Sequence, residues 1–110
     1  MAEWEEIKAI TLSWQGYPGV LTEIVREAVE EVEVIIFTSD ASSVENILNN
    51  AGVNTNQVTY INQSTNSIWI RDYGQHTVYA NDVGDQVLID WIYNRPRPLD
   101  DESPELIANF

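Results

Sequence analysis

Four consecutive apolar residues, Val34-Ile35-Ile36-Phe37, stand between two stretches of helical period, and nothing else in the chain restricts the fold as much. A strand that is apolar on both faces has to be covered on both faces. Such runs alternating with amphipathic helices indicate a layered α/β domain. The flanks agree. Residues 7–14 alternate Ile10, Leu12 and Trp14 with Ala9, Thr11 and Ser13, which is strand period. Gly16 breaks that run, and Pro18 sits where a helix takes its first turn. On that helix Val20, Leu21, Ile24, Val25, Ala28 and Val29 fall on one side, with Glu23, Arg26, Glu27 and Glu30 on the other. Ser42-x-x-Glu45 reads as a capping box opening a second helix with Val44, Ile47, Leu48 and Ala51 inward, and Gly52 suits its end.

Residues 58–61 read as a third strand. Residues 77–80 and 87–93 read as two more, joined through the turn-rich Asn81-Asp82-Val83-Gly84-Asp85. The predicted order is β-α-β-α-β followed by a hairpin, in one domain over residues 1–110. The tail, residues 99–110, is acidic and then weakly helical after Pro104, and it reads as a chain that continues. At 110 residues, with 44% hydrophobic content and four Trp, the chain has the composition of a small folded domain.

The charge excludes whole classes of function. Eighteen acidic residues against five basic ones give a net charge of −13. Phosphate backbones and anionic membrane surfaces both require clustered Lys and Arg, so neither nucleic acid nor membrane is an expected partner. Cys is absent, so this chain supplies no disulfide, no thiolate metal ligand and no thiol nucleophile.

Two stretches carry candidate chemistry. In Asn66-Ser67-Ile68-Trp69-Ile70-Arg71-Asp72-Tyr73-Gly74, an aromatic face and a carboxylate together suit a planar cation such as a guanidinium. If the segment is extended, Arg71 and Asp72 point to opposite faces and do not pair. The alternative is that Trp69 is core and Asp72 caps the turn before Gly74. In Tyr93-Asn94-Arg95-Pro96-Arg97-Pro98, two of the five basic residues stand one apart across a proline that enforces extension. Two guanidinium forks on one face make a receptor for a carboxylate or phosphate. The alternatives are surface ion pairs with Asp100, Asp101 or Glu102, and a polyproline-type peptide ligand. Because Val87, Ile89, Trp91 and Tyr93 continue a strand pattern into this segment, the peptide ligand ranks last. His76, the only histidine, reads as structural. The acidic group Asp100, Asp101, Glu102 and Glu105 has no calcium-loop spacing and reads as a solvated face.

Trp14, the "SIWIRDYG" segment and "DWIYNRPRP" together resemble the Porphyromonas-type peptidylarginine deiminase family, related to agmatine deiminases within the guanidino-group-modifying superfamily. The similarity runs from Ala2-Glu3-Trp4-Glu5 through Pro98. It implies the first blade, and part of the next, of a five-bladed α/β propeller of pentein type, each blade a small mixed sheet with helices. It implies that Asp72 grips the substrate guanidinium, that Trp69 lines the pocket, and that Arg95 and Arg97 bind the carboxylate of a C-terminal arginine. The implied partner is an arginine-containing peptide or a small guanidine, and the implied chemistry uses no cofactor. The catalytic Cys and a His-x-Asp element are absent, since His76 is followed by Thr77 and Val78, and are expected downstream. The chain then reads as the N-terminal portion of a longer arginine-to-citrulline hydrolase that is inactive alone. An agmatine deiminase-like parent and a non-catalytic interaction module remain the rival readings. An excised blade would also self-associate through its exposed edges.

Overall fold

A computed structural model describes residues 5–82 and 84–110. Residues 2–4 of the resemblance and Val83 of the predicted turn lie outside the described residues. The order is β1 (Ala9–Ser13), α1 (Pro18–Ala28), β2 (Glu33–Thr38), α2 (Ala41–Asn50), β3 (Val58–Asn62), α3 (Ile70–Tyr73), β4 (His76–Tyr79), β5 (Gln86–Ile89), α4 (Pro98–Asp101) and α5 (Ser103–Ala108). The chain is therefore mixed α/β, as the sequence predicts.

The first three strands form a parallel sheet in the order β1-β2-β3, with Ile10 opposite Val34 and Val34 opposite Val58. Both crossovers travel the same way along the sheet, so a common hand places both helices on one face. The core follows from this. Val25 of α1, Val29 just after it, and Val44 and Leu48 of α2 pack with Val34 and Ile36, flanked by Ile10, Leu12, Trp14, Val58 and Tyr60. The alternate residues of β2, Ile35 and Phe37, are buried on the opposite face. There Ile35 borders a cavity of about 530 Å³ with Thr11, Gln75, Leu88 and Ile107. The apolar run of β2 is thus covered on both faces, which its composition requires.

Helix α1 opens at Tyr17, whose φ of 47° is left-handed, and Pro18 takes the first turn. Its buried stripe is Thr22, Val25 and Val29, which is narrower than the predicted apolar side. Val20 and Ile24, at 61% and 40% exposure, lie on a flank that a three-stranded sheet does not reach. The second helix likewise buries Val44 and Leu48 but leaves Ile47 and Ala51 exposed. Its cap also differs from the predicted box. Asp40 rather than Ser42 is the N-cap, and its carboxylate accepts the Ser43 amide at 3.0 Å. The C-terminus ends as predicted at Gly52, with φ 73°. The Val53 amide donates to the Leu48 carbonyl and the Gly52 amide to that of Asn49, while the Val53 and Leu48 side chains meet in the core.

Strands β4 and β5 form a separate antiparallel pair, with His76 opposite Ile89. The predicted continuation of β5 to Tyr93 does not occur. Pairing stops where β4 begins, so the alternation over 90–93 has no neighbouring strand to bond. Trp91 and Ile92 are exposed there, Ile92 at 94%.

Candidate functional site

After β3 the chain crosses the carboxyl ends of the parallel strands and returns towards β1. Open α/β sheets present ligands at these ends. Ser13, the last residue of β1, is buried and receives a hydrogen bond from the Thr65 hydroxyl while donating to the Ser67 carbonyl at 3.0 Å. Gln15 Nε2 donates to the Thr65 carbonyl at 2.7 Å. These bonds fix residues 65–67 before α3 starts.

Helix α3 is a single turn, not the extended segment expected around Arg71 and Asp72. Successive side chains therefore leave about 100° apart rather than on opposite faces. The segment is too short for helical period to register, and the turn is set by local bonds. The Asp72 amide donates to the Trp69 carbonyl at 2.8 Å, and that of Gly74 to the Ile70 carbonyl at 2.7 Å. The alternative reading of this stretch does not hold. Trp69 is 56% exposed and is not core. Among the described residues the Asp72 carboxylate caps nothing and faces solvent. The residue that anchors the turn is Tyr73, fully buried, whose hydroxyl donates to the Ser67 carbonyl at 2.8 Å. Burial raises the Tyr73 pKa above its ordinary value; hydrogen bonding with Ser13 and Thr65 opposes this, and the charge of Asp100 adds to it. The phenol is thus neutral at physiological pH and stays a donor.

Gly74 ends the turn under a steric constraint. A Cβ there would stand 2.6 Å from the Ile70 carbonyl oxygen, a backbone atom with no freedom to swing away. Gly74→Ala is expected to destabilise the protein by about 1–3 kcal/mol, the usual cost of overpacking. A melting temperature within a degree of the parent's would show that α3 yields freely.

The second stretch leaves β5 as an arm over residues 90–97. It is not held extended as the proline spacing predicts. The Arg97 amide donates to the Arg95 carbonyl at 2.8 Å, and Arg97 is the residue before the first turn of α4. Arg97 Nη1 donates to the Tyr93 hydroxyl at 3.2 Å, and the Tyr93 ring packs tilted against Tyr73 with centroids 5.5 Å apart. Neither Arg95 nor Arg97 forms an ion pair among the described residues, so the surface-pairing alternative fails. Its would-be acidic partners are occupied elsewhere. Asp100 accepts the Asn66 and Ser67 amides and the Ser67 hydroxyl. Asp101 accepts the Tyr93 amide at 2.7 Å, and Glu102 accepts Gln63 Nε2 at 3.1 Å. Asp100 is completely buried, which corrects its reading as part of a solvated face. Among the described residues no group of acidic or histidine side chains is placed to hold a metal.

The two stretches meet. Trp69, Asp72, Tyr93, Arg95 and Arg97 line one open cleft of about 400 Å³. All four predicted residues are in it, with a carboxylate from α3, two guanidinium groups from the arm and the aromatic rings of Trp69 and Tyr93. A cleft so lined can accept a planar cation on Asp72 and an anion on the arginines. Tyr93 is the member that the sequence reading missed, although it begins the same six-residue motif. His76 lies outside the cleft and packs edge-on to Trp91 at 6.0 Å.

A family model for the Porphyromonas-type peptidyl-arginine deiminase matches residues 1–97. That span includes β1 to β5, α3 and all five residues of the cleft. The chain belongs to the Porphyromonas-type peptidyl-arginine deiminase family.

Proposed function

We propose that this chain is the N-terminal, substrate-recognising portion of an arginine deiminase-type hydrolase, and that its cleft takes the C-terminal arginine of a peptide. The observation that carries this reading is the shared lining of one cleft by a carboxylate, aromatic rings and two unpaired guanidinium groups. Asp72 accepts hydrogen bonds from the substrate guanidinium, and the exposed face of Trp69 stacks on it. Arg95 and Arg97 take the free α-carboxylate, with Tyr93 orienting Arg97 through its hydroxyl. In the reaction a thiolate attacks the guanidinium carbon, ammonia leaves after protonation, and water displaces the thiolate to give citrulline. The thiolate comes from outside these residues, because the chain has no Cys, and so does the His that moves the protons, because His76 does not line the cleft. The α/β unit is read as the first blade of a propeller, with the β4–β5 hairpin beginning the next. The exposure of Val87, Leu88, Trp91 and Ile92 on and beside that hairpin supports a neighbouring surface there, from a further blade or a second copy.

The substrate class is tested by titrating the chain with glycyl-L-arginine and with agmatine, which lacks the carboxylate, and following Trp69 and Tyr93 by NMR. Glycyl-L-arginine is expected to bind more tightly. Arg95→Ala combined with Arg97→Ala should weaken glycyl-L-arginine about tenfold and agmatine less than about twofold, as loss of a charge-assisted contact predicts. Equal losses on both ligands would overturn the carboxylate assignment.

A further inference from the structure

Asp100 lies beyond the span matched by the family and does not line the cleft, yet among the described residues it is one of the most completely buried side chains. A buried carboxylate is tolerated only where donors surround it. Here three do. The amides of Asn66 and Ser67 converge on Oδ1, the latter at 3.1 Å, and the Ser67 hydroxyl donates to Oδ2 at 2.7 Å. All three donors come from the loop that leads into α3, more than 30 residues earlier in the chain. A reciprocal bond runs back, from the Leu99 amide to Asn66 Oδ1 at 3.0 Å. Asp100 is also tied to the arm, since its own amide donates to the Arg97 carbonyl at 3.1 Å.

The position of this knot matters more than its strength. One side of it is two residues before Trp69 and five before Asp72. The other is three residues after Arg97. The two charged ends of the cleft are thus carried by segments that meet at Asp100. We infer that Asp100 is a positioning residue: its buried carboxylate fixes the span between Asp72 and the Arg95–Arg97 pair, and thereby selects ligands that carry a cation and an anion one arginine length apart. The inference rests on the cleft reading above and adds the residue that sets its dimension.

A residue that sets a span acts on ligands that use both ends and leaves single-ended ones alone. The test titrates the 110-residue chain with glycyl-L-arginine, with ethylguanidinium and with acetate, in the parent and in Asp100→Ala, Asp100→Asn and Ser67→Ala. Asp100→Ala is expected to weaken glycyl-L-arginine by tenfold or more, as small displacements of a positioned group do. The two single-ended probes should change by less than about twofold. Asp100→Asn keeps an oxygen for the two amides, and Ser67→Ala loses only the hydroxyl bond, so both should fall between. If Asp100→Ala does not fold, these two variants carry the comparison. Unchanged glycyl-L-arginine affinity overturns the inference. So does an equal loss for all three probes, because that is general loss of structure.

Hydrogen exchange separates this inference from the cleft reading. Asp100→Ala should expose the Leu99 amide to exchange while the β2 amides stay protected. If the parent binds none of the probes, the cleft reading falls and the Leu99 result alone decides the tether. Retained protection at Leu99 then overturns it, and selective loss supports it.

Discussion

Ile36→Ala is expected to lower the free energy of unfolding by about 2–5 kcal/mol, the largest effect of any single substitution considered for this chain. Ile36 lies in the middle of the central parallel strand and is fully buried against the two helices that share one face of the sheet. Removing its branched side chain leaves a void bordered by α1, α2 and both neighbouring strands. None of these can close in without moving the others, so relaxation is limited. A domain of this size has only about 5–15 kcal/mol in total, and the variant should be partly unfolded at modest denaturant. Equilibrium urea unfolding measures it. The midpoint should fall with little change in slope. A loss below about 1 kcal/mol would mean that the helices do not bear on β2 as described.

Among single substitutions of the residues that line the cleft, Asp72→Ala should have the largest effect on ligand binding. Its carboxylate is exposed, makes no hydrogen bond or ion pair among the described residues, and lines the same cleft as the two arginines. A charge-assisted contact to a guanidinium is worth up to about 3 kcal/mol when shielded, but solvent at this open site reduces it to about 1–2 kcal/mol. That corresponds to roughly five- to thirtyfold in affinity. Because the guanidinium is common to both ligands, glycyl-L-arginine and agmatine should lose alike, unlike the selective loss expected for Arg95 and Arg97. NMR titration reads both. A loss confined to glycyl-L-arginine would place Asp72 at the wrong end of the ligand. Far-ultraviolet circular dichroism should be unchanged, since the side chain supports no other part of the fold.

The layered α/β order was legible in the sequence because burial on both faces leaves an unmistakable run in β2, and because Pro18 and Gly52 mark a helix start and a helix end for steric reasons. The failures have physical causes as well. Helix α3 is one turn, shorter than the window in which helical period can be seen. The second helix offers two caps close together, and it starts at Ala41, so that Asp40 rather than Ser42 accepts an amide of the first turn. Strand β5 keeps its alternation to Tyr93, but a strand exists only where a partner runs beside it, and β4 supplies none past His76. For the cleft, residue type singled out Trp69, Asp72, Arg95 and Arg97 as candidates, and the fold brings all four to one cleft, whereas the reading of a rigid extended Arg-Pro-Arg did not survive. The burial of Asp100 depends on a loop more than 30 residues away. In the sequence it is one acid among 18.

The β4–β5 hairpin touches the remainder chiefly through α5 and through the Tyr79 hydroxyl, which donates to Glu5 at 3.0 Å. A two-stranded ribbon with so little support is marginal in water. The guanidinium-bearing arm leaves this ribbon but is moored to the sheet side of the molecule. The ribbon can therefore fray without displacing the residues that line the cleft. Motion of the ribbon and the geometry of the cleft are thus mechanically separate.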